Sequence, residues 1–209
     1  HPMATVMAYE AAGTISRNLE HLFGGRVGLF KNQPGDRLLE TAEILRKKHQ
    51  FKGYVHLKVM PGAEKEQLRQ AMTLADRLSV NLEAPNDRWL ALLAPKKEFF
   101  AELVRPLQLI EQIRQEEPGH LGWNGRWPST VTQFVVGAVD ETDVEILSTT
   151  EYLTRQLRLK RVYFSAFSPI HDTPLEDHPA ENPMRKVRLY QTSFLFRDYD
   201  FGLEEMPFD

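Results

Sequence analysis

Short apolar runs alternate with longer segments of helical periodicity along the chain, and this alternation constrains the fold more than any other feature. Five runs have the character of strands, at 26–30, 54–59, 78–82, 131–139 and 161–167. A helical pattern follows each of them. Such an order predicts an α/β fold with parallel strands, right-handed crossovers and ligands at the carboxyl ends of the strands. The order alone leaves an open barrel and a doubly wound sheet as alternatives.

Glycine, proline and capping residues mark the helices between these runs. Helices are predicted at 36–50, 64–75, 87–93, 97–116, from Asp140 or Thr142 to 157, and at 183–197, the first of them capped by Asp36. Pro106 is expected to kink or divide the fourth helix. The inner faces of the last two helices are expected to carry Val144, Leu147 and Leu153, and then Val187, Tyr190 and Phe194.

Composition excludes several classes of function. The net charge of −3 gives no overall basic bias towards nucleic acid, so such a contact would need a local patch. No apolar run approaches the ~18–20 residues of a membrane span, and no secretory signal opens the chain, which predicts a cytoplasmic protein. The sequence contains no cysteine, so no thiolate is available for zinc or an iron–sulfur cluster. The seven histidines lack a metal-binding spacing, and no metal site is predicted.

Polar residues stand at the predicted carboxyl ends of several strands. They are Lys58, Asn81, Glu83, Thr132, Gln133, Ser165 and Ser168. Each of them alone is explained by a hydrogen bond to a neighbouring loop, whereas the whole set favours a ligand site on one rim. Gly137 precedes the acidic stretch 140–143, where the alternatives are close approach to a ligand and a simple turn with a helix cap.

A loop rich in glycine and tryptophan precedes the fourth predicted strand. Trp123, Arg126 and Trp127 are suited to stacking on bases or on a protein partner, and equally to plugging one end of a barrel. Arg155, Arg158 and Lys160 form a local basic cluster with Arg161. A solvated helix surface is the favoured interpretation of that cluster, with nucleic-acid contact as the alternative.

Five segments resemble, in order, the radical S-adenosylmethionine (SAM) proteins assigned to DNA modification and repair. The segments are 53–62, 75–83, 132–143, 159–167 and 188–191, and the resemblance runs from about residue 28 to 206. It implies a partial, TIM-like (β/α) barrel over 26–209, in which the five strands correspond to strands two to six. The first strand and the cluster loop are missing or replaced by 1–25, a segment of separate character in which His1 and Pro2 are interpreted as a tag remnant.

The resemblance also implies cofactors and their sites. The positions that match the family's SAM-binding residues are Asn81, Glu83, Gln133, Val135, Gly137, Glu141, Ser165 and Phe167. The family's [4Fe–4S] cluster is held by three cysteines, which this chain does not have. The radical reaction is therefore not expected from this chain alone, and no catalytic residue is predicted.

Three functional hypotheses follow. In the first, the chain is a truncated or catalytically inactive radical SAM-like protein of the DNA modification and repair class. In the second, it is a cluster-free module that binds nucleic acid or a protein through the Trp123 and Trp127 loop and the basic cluster. In the third, its pocket binds SAM or a nucleoside without cleaving it. A missing first strand would also leave an exposed sheet edge, for which the alternatives are a homodimer and covering of the edge by residues 3–24.

Overall fold

The computed structural model of the protein describes residues 34–207, and within them the predicted α/β class is confirmed. Four parallel strands form one sheet in the order β1-β2-β3-β4. They are β1 (His56–Lys58), β2 (Arg77–Ser79), β3 (Ser129–Val136) and β4 (Arg161–Ala166). The predicted strand at 26–30 lies outside the described residues.

Six α-helices lie within the described residues: the first precedes β1, and the others connect or follow the strands. They are α1 (Pro34–Glu43), α2 (Lys65–Leu74), α3 (Asp87–Leu93), α4 (Arg105–Glu116), α5 (Asp143–Arg155) and α6 (Pro183–Tyr199). A π-helical turn, Ile44–Lys48, extends α1, and a second one, Phe99–Val104, precedes α4. Pro106 falls in the first turn of α4, where its missing N–H costs nothing, and it divides the predicted long helix as expected. None of the described helices has the length and apolar character that a bilayer span demands.

The strand order shows how the sheet is wound. Neighbouring strands follow one another in sequence without a reversal. Because parallel crossovers are almost always right-handed, a uniform order places the connecting helices on one face of the sheet. The described strands therefore show no reversal of the kind that defines a doubly wound sheet, and their order is the one expected of an open barrel.

The buried core lies between the sheet and its helices. Leu57 and Leu78 are cross-strand partners on the helix-facing side, and Phe134 and Phe164 are partners further along the same face. Each of these side chains is almost fully buried and contributes about 1.5–3 kcal/mol relative to exposure. Tyr190 of α6 extends the core, with its ring centroid 5.1 Å from that of Phe164.

Capping residues in the sequence explain where two of the helices begin, but they do not explain the start of a third. Thr142 and Glu145 form a capping box at α5, and Asn86 accepts from the Trp89 N–H at α3. Asp36 was predicted as the cap of α1 but lies within its first turn, because the described helix already begins at Pro34. Its carboxylate accepts instead from the side chain of Gln67 on α2, over 2.7 Å.

The predicted inner faces of the last two helices are partly wrong. Val144 is 43% exposed, and Val187 and Phe194 are 38% and 46% exposed. The buried faces are formed instead by Ile146, Leu147, Thr150 and Leu153 on α5, and by Leu189, Ser193 and Phe196 on α6. Aromatic residues occur on both sides of α6, so its apolar pattern does not single out one face.

The short β2 strand ends earlier than predicted because an irregular segment interrupts its pairing with β3. The Thr132 hydroxyl bridges the gap: it accepts from the Leu82 N–H over 3.1 Å and donates to the Val80 carbonyl over 2.6 Å. Pairing resumes at Glu83, which forms an isolated parallel bridge with Phe134. Thr132, expected at a ligand rim, is therefore a buried structural residue.

Candidate functional site at the carboxyl edge of the sheet

The face of the sheet away from the helices is polar and partly open. Alternate strand residues lie on this face. Two of them are apolar, Val131 and Val135, and the others are polar: His56, Lys58, Arg77, Ser79, Ser129, Gln133, Arg161, Tyr163 and Ser165. Helices cover only one side of this sheet, and the polar side chains on the other side require an explanation. Such a surface is suited to binding a polar ligand.

Glu83 lies at the carboxyl edge of the sheet in a strained backbone conformation. Its φ is +65°, in the left-handed region that favours glycine. Backbone hydrogen bonds fix it on both sides, from the Glu83 N–H to the Gln133 carbonyl over 2.9 Å and from the Val135 N–H to the Glu83 carbonyl over 2.8 Å. Strain that the surroundings hold in place is concentrated at functional sites in proteins.

A tight turn at Gly137 lies beside Glu83 on the same edge. Gly137 has φ +80°, and its N–H donates to Glu141 Oε1 over 2.6 Å. A Cβ at this position would lie 2.2 Å from Glu181 Oε2 and 2.6 Å from Glu181 Cβ, so the turn fits only glycine. The left-handed φ also ends β3 at Val136 and explains why the predicted strand does not reach residue 139.

Arg185 of α6 forms ion pairs with three carboxylates next to this turn. Its guanidinium lies 2.6 Å from Glu181, 2.8 Å from Asp143 and 3.4 Å from Glu141. The Glu141 side chain is 0% exposed, and its Oε2 has no hydrogen-bond partner among the described residues. Burial raises the pKa of Glu141, although the Gly137 N–H and Arg185 oppose this effect.

The segment after β4 folds back over the edge. The Phe167 N–H donates to the Val136 carbonyl over 2.8 Å, and the Glu181 N–H donates to the Phe167 carbonyl over 3.0 Å. His178 Nε2 donates to the Gly137 carbonyl over 3.0 Å, with its ring 5.4 Å from that of Phe167. The carboxyl ends of β3 and β4 are thereby joined into one structured rim.

The structure brings most of the predicted SAM-binding positions onto this rim. Glu83, Gln133 and Val135 are joined by backbone hydrogen bonds, and Gly137 and Glu141 share a turn that lies against Phe167 through Val136. Asn81 is half-buried in the irregular segment before Glu83, and Ser165 is exposed on the open face. Their role in binding SAM stays a prediction.

Sequence reasoning missed the residues that hold the rim together from outside. The sequence pattern favours a solvated loop followed by a helix surface for the segment that contains Arg185, Glu181 and His178. The available signal was the spacing of Glu181 and Arg185, which are four residues apart with opposite charges across a helix start.

The Trp loop lies at the other end of the sheet. Trp123 stacks on the Arg46 guanidinium, 3.9 Å from the ring centroid, and the Trp127 indole N–H donates to the Glu117 carbonyl over 3.2 Å. Arg46 in turn binds the segments just before β1 and β2. The loop therefore closes the amino edge, as in the plug alternative, and of its three predicted contact residues only Arg126 is exposed.

The basic cluster is also largely engaged within the protein. Arg155 lies 3.5 Å from Glu151 and donates to the Asp200 carbonyl over 3.1 Å. Arg158 lies 3.5 Å from Glu111, and Lys160 is exposed. These contacts are those of a solvated helix end, and contact of the cluster with nucleic acid stays a prediction.

Three groups in the loop after β4 are close enough to share a cation. Ligand atoms of His171, Asp172 and Glu176 lie within 4.8 Å of one another, and all three residues are exposed. His171 Nδ1 is 2.9 Å from Glu176 Oε2, which also accepts from the Asp172 N–H. These contacts are those of a solvated turn and do not make a metal centre.

Comparisons with known proteins leave the family unassigned. No protein-family model matches the chain. A stretch of 40 residues is 60% identical to acetolactate synthase of Bacillus subtilis (strain 168), and it covers 19% of this chain and 7% of that enzyme. The chain thus spans well under a tenth of the curated relative it matches, and a segment of this length assigns no fold or activity to the rest.

Two solved structures show partial likeness. A domain of pyruvate-formate lyase-activating enzyme from Bacteroides vulgatus ATCC 8482 aligns at 15% identity over 81% of this chain and 93% of that domain, with a TM-score of 0.48. DHODH from Eimeria tenella, in complex with ferulenol, aligns at 13% identity over 78% of this chain and 49% of its own, with a TM-score of 0.42. Both TM-scores are too low to carry an argument about function.

Proposed function

We propose that the carboxyl edge of the sheet binds the adenosyl part of SAM, in a partial barrel of the radical SAM type. The observation that carries this proposal is the strained Glu83 beside the Gly137 turn. The left-handed conformation of Glu83 holds its carboxylate at the end of one strand, and the left-handed Gly137 turns the next strand beneath Glu181 at the same edge. The uniform strand order and the polar open face support a barrel interior on that side.

The chemistry of the edge suits an adenosyl ligand. Glu83 offers a carboxylate and Asn81 offers an amide to the two ribose hydroxyls. Each hydroxyl needs an acceptor for its proton. The acidic groups around Gly137 provide negative potential for the positively charged sulfonium. The Glu181 side chain covers the place of a Cβ at Gly137, so this turn fixes the acidic rim and does not itself receive the adenine ring.

The iron–sulfur cluster of the radical SAM family does not fit this chain. Its ligands are cysteine thiolates, and the sequence contains none. We therefore propose binding of SAM without cleavage by this chain. The assignment to DNA modification and repair rests on the sequence resemblance, and this part of the proposal depends on it alone. The Trp loop gives no competing candidate, because Trp123 already stacks on Arg46.

Calorimetric titration of the 209-residue protein with SAM tests the proposal. We expect saturable binding to one site, and Glu83→Gln should weaken it about tenfold or more, because a charged hydrogen bond contributes about 1.5–3 kcal/mol. The isosteric change removes the charge and keeps the backbone strain.

Glu98→Gln serves as the matched control, since Glu98 is exposed before α4 and is expected to leave the affinity unchanged. The absence of both heat and a thermal shift with SAM would overturn the proposal. Equal affinity of the wild type and Glu83→Gln would remove Glu83 from the site.

A further inference from the structure

We propose that the open face of the sheet carries a second site, which binds a phosphate group through Arg77, Ser129 and Tyr163. This site goes beyond the proposed SAM site. Arg77 opens β2, and at about 3.3 Å per strand residue it lies up to roughly 20 Å from Glu83 along the sheet. The two sites therefore have separate residues and separate tests.

The hydrogen bonds around Arg77 leave an excess of donors. Arg77 Nε donates to Ser129 Oγ over 3.3 Å, and Nη1 donates to the Tyr163 hydroxyl oxygen over 3.2 Å. Each hydroxyl accepts from Arg77 and so keeps its own proton for donation. Within residues 34–207, neither hydroxyl donates to another group and Nη2 has no acceptor. The protons of these two hydroxyls and of Nη2 all lie at the Arg77 guanidinium, and the partner they lack is an acceptor.

Among residues 34–207, the positive charge of Arg77 has no ion-pair partner. No described carboxylate lies within 4.0 Å of the Arg77 guanidinium, although Asp76 precedes it in the chain. The Asp76 carboxylate is held by Arg46 over 2.8 Å and by the Val55 N–H over 2.9 Å. Arg161 adds a second positive charge, 5.8 Å from the centroid of the Tyr163 ring.

His56 extends the donor set. It is the cross-strand partner of Arg77, and its Nε2 is buried without a hydrogen-bond partner among the described residues. Burial, reinforced by the charge of Arg77, lowers the pKa of His56, so the imidazole is neutral at pH 7 and can donate from one nitrogen. An oxyanion on Arg77 would give this buried atom a partner.

The geometry favours phosphate among the oxyanions. A guanidinium is a planar fork that matches phosphate oxygens, and the two hydroxyls and an imidazole can serve the remaining ones. The residues are half-buried on an accessible face, so that a bound group is partly desolvated. Free orthophosphate and the phosphate of an ester offer the same chemistry here.

Titration with inorganic phosphate and with methyl phosphate, which lacks the adenosine expected at the carboxyl edge, tests this site at constant ionic strength. We expect one saturable site in the wild type and at least a tenfold loss of affinity in Arg77→Met. Tyr163→Phe should weaken binding less, because it removes one donor of several. Arg105→Gln, an exposed arginine on α4, is the control and should bind as the wild type does.

The outcomes separate the alternatives. Tighter binding of methyl phosphate points to a phosphate ester, equal binding points to free phosphate, and both support the site. Absence of saturable binding, or equal affinity in all variants, overturns it. If Arg77→Met loses its native circular dichroism, Tyr163→Phe decides, and unchanged affinity in a folded Tyr163→Phe also overturns the site. SAM titrations of the same variants should be unaffected, which keeps the two proposals distinct.

Discussion

Arg46→Met is expected to lower the free energy of unfolding by about 3–5 kcal/mol, the cost of breaking a buried ion pair from one side. The Arg46 side chain is 1% exposed and lies 2.8 Å from Asp76. It also donates to the carbonyls of Leu74, Phe51 and Gly53, over 2.7–2.8 Å. Methionine fills a similar volume but leaves these carbonyls and one carboxylate without their donor. Urea unfolding followed by circular dichroism measures the loss.

Arg69→Met is the matched control for this experiment. Arg69 also forms an ion pair, 2.8 Å from Glu117, but its side chain is 40% exposed. Water screens this pair, so the loss should be much smaller than for Arg46. Equal losses in the two variants would show that Arg46 does not hold the amino edge together.

Gly137→Ala should lower the free energy of unfolding by about 2–4 kcal/mol and abolish binding at the carboxyl edge. The new Cβ would meet Glu181, whose carboxylate is held by Arg185 over 2.6 Å and cannot move freely. The left-handed φ adds a backbone cost that any residue other than glycine incurs. Chemical unfolding and SAM titration of the same preparation measure both effects.

Gly125→Ala separates the two costs. Gly125 has φ +73°, close to that of Gly137, but a Cβ there would have no atom within 4 Å. It therefore incurs the backbone cost alone, and SAM binding should survive. Identical destabilisation by the two variants would contradict a steric role of Glu181 at the rim.

The order of strands and helices could be predicted from the sequence because local signals determine it. Pro34, Gly53, Pro61 and Pro169 interrupt apolar runs at the places where chain segments end. The helix 87–93 was predicted with its observed bounds, and Pro106 divided its neighbour as expected. The choice between sheet types required the structure, since winding depends on which strands pair and not on their order of appearance.

The roles of charged residues were harder to predict. Arg46 stands in an amphipathic segment with Lys47 and Lys48, where a positive charge normally means solvent. Its burial depends on carbonyls at 51, 53 and 74, which only the tertiary fold brings together. Arg185 was missed for the same reason, because its partners Glu141 and Asp143 lie more than forty residues earlier in the chain.

The candidate site was predicted in part. Residues at strand ends share an edge whenever the strands are parallel, so the grouping of Glu83, Gln133 and Gly137 followed from the fold class. No sequence pattern predicted the strain at Glu83, since glutamate is not a residue that indicates a left-handed φ. The sequence did not decide whether the Trp loop contacts a ligand or plugs one end of the sheet. The stacking of Trp123 on Arg46 favours the plug.

The central claim is that the carboxyl edge of the sheet, and not the amino edge, receives the adenosyl ligand. Hydrogen–deuterium exchange with and without saturating SAM tests it most directly. We expect slower amide exchange in 81–83, 133–141 and 165–167, with the Trp loop at 119–127 unchanged. Protection confined to 119–127, or unchanged exchange throughout at a concentration that saturates binding, would contradict the account.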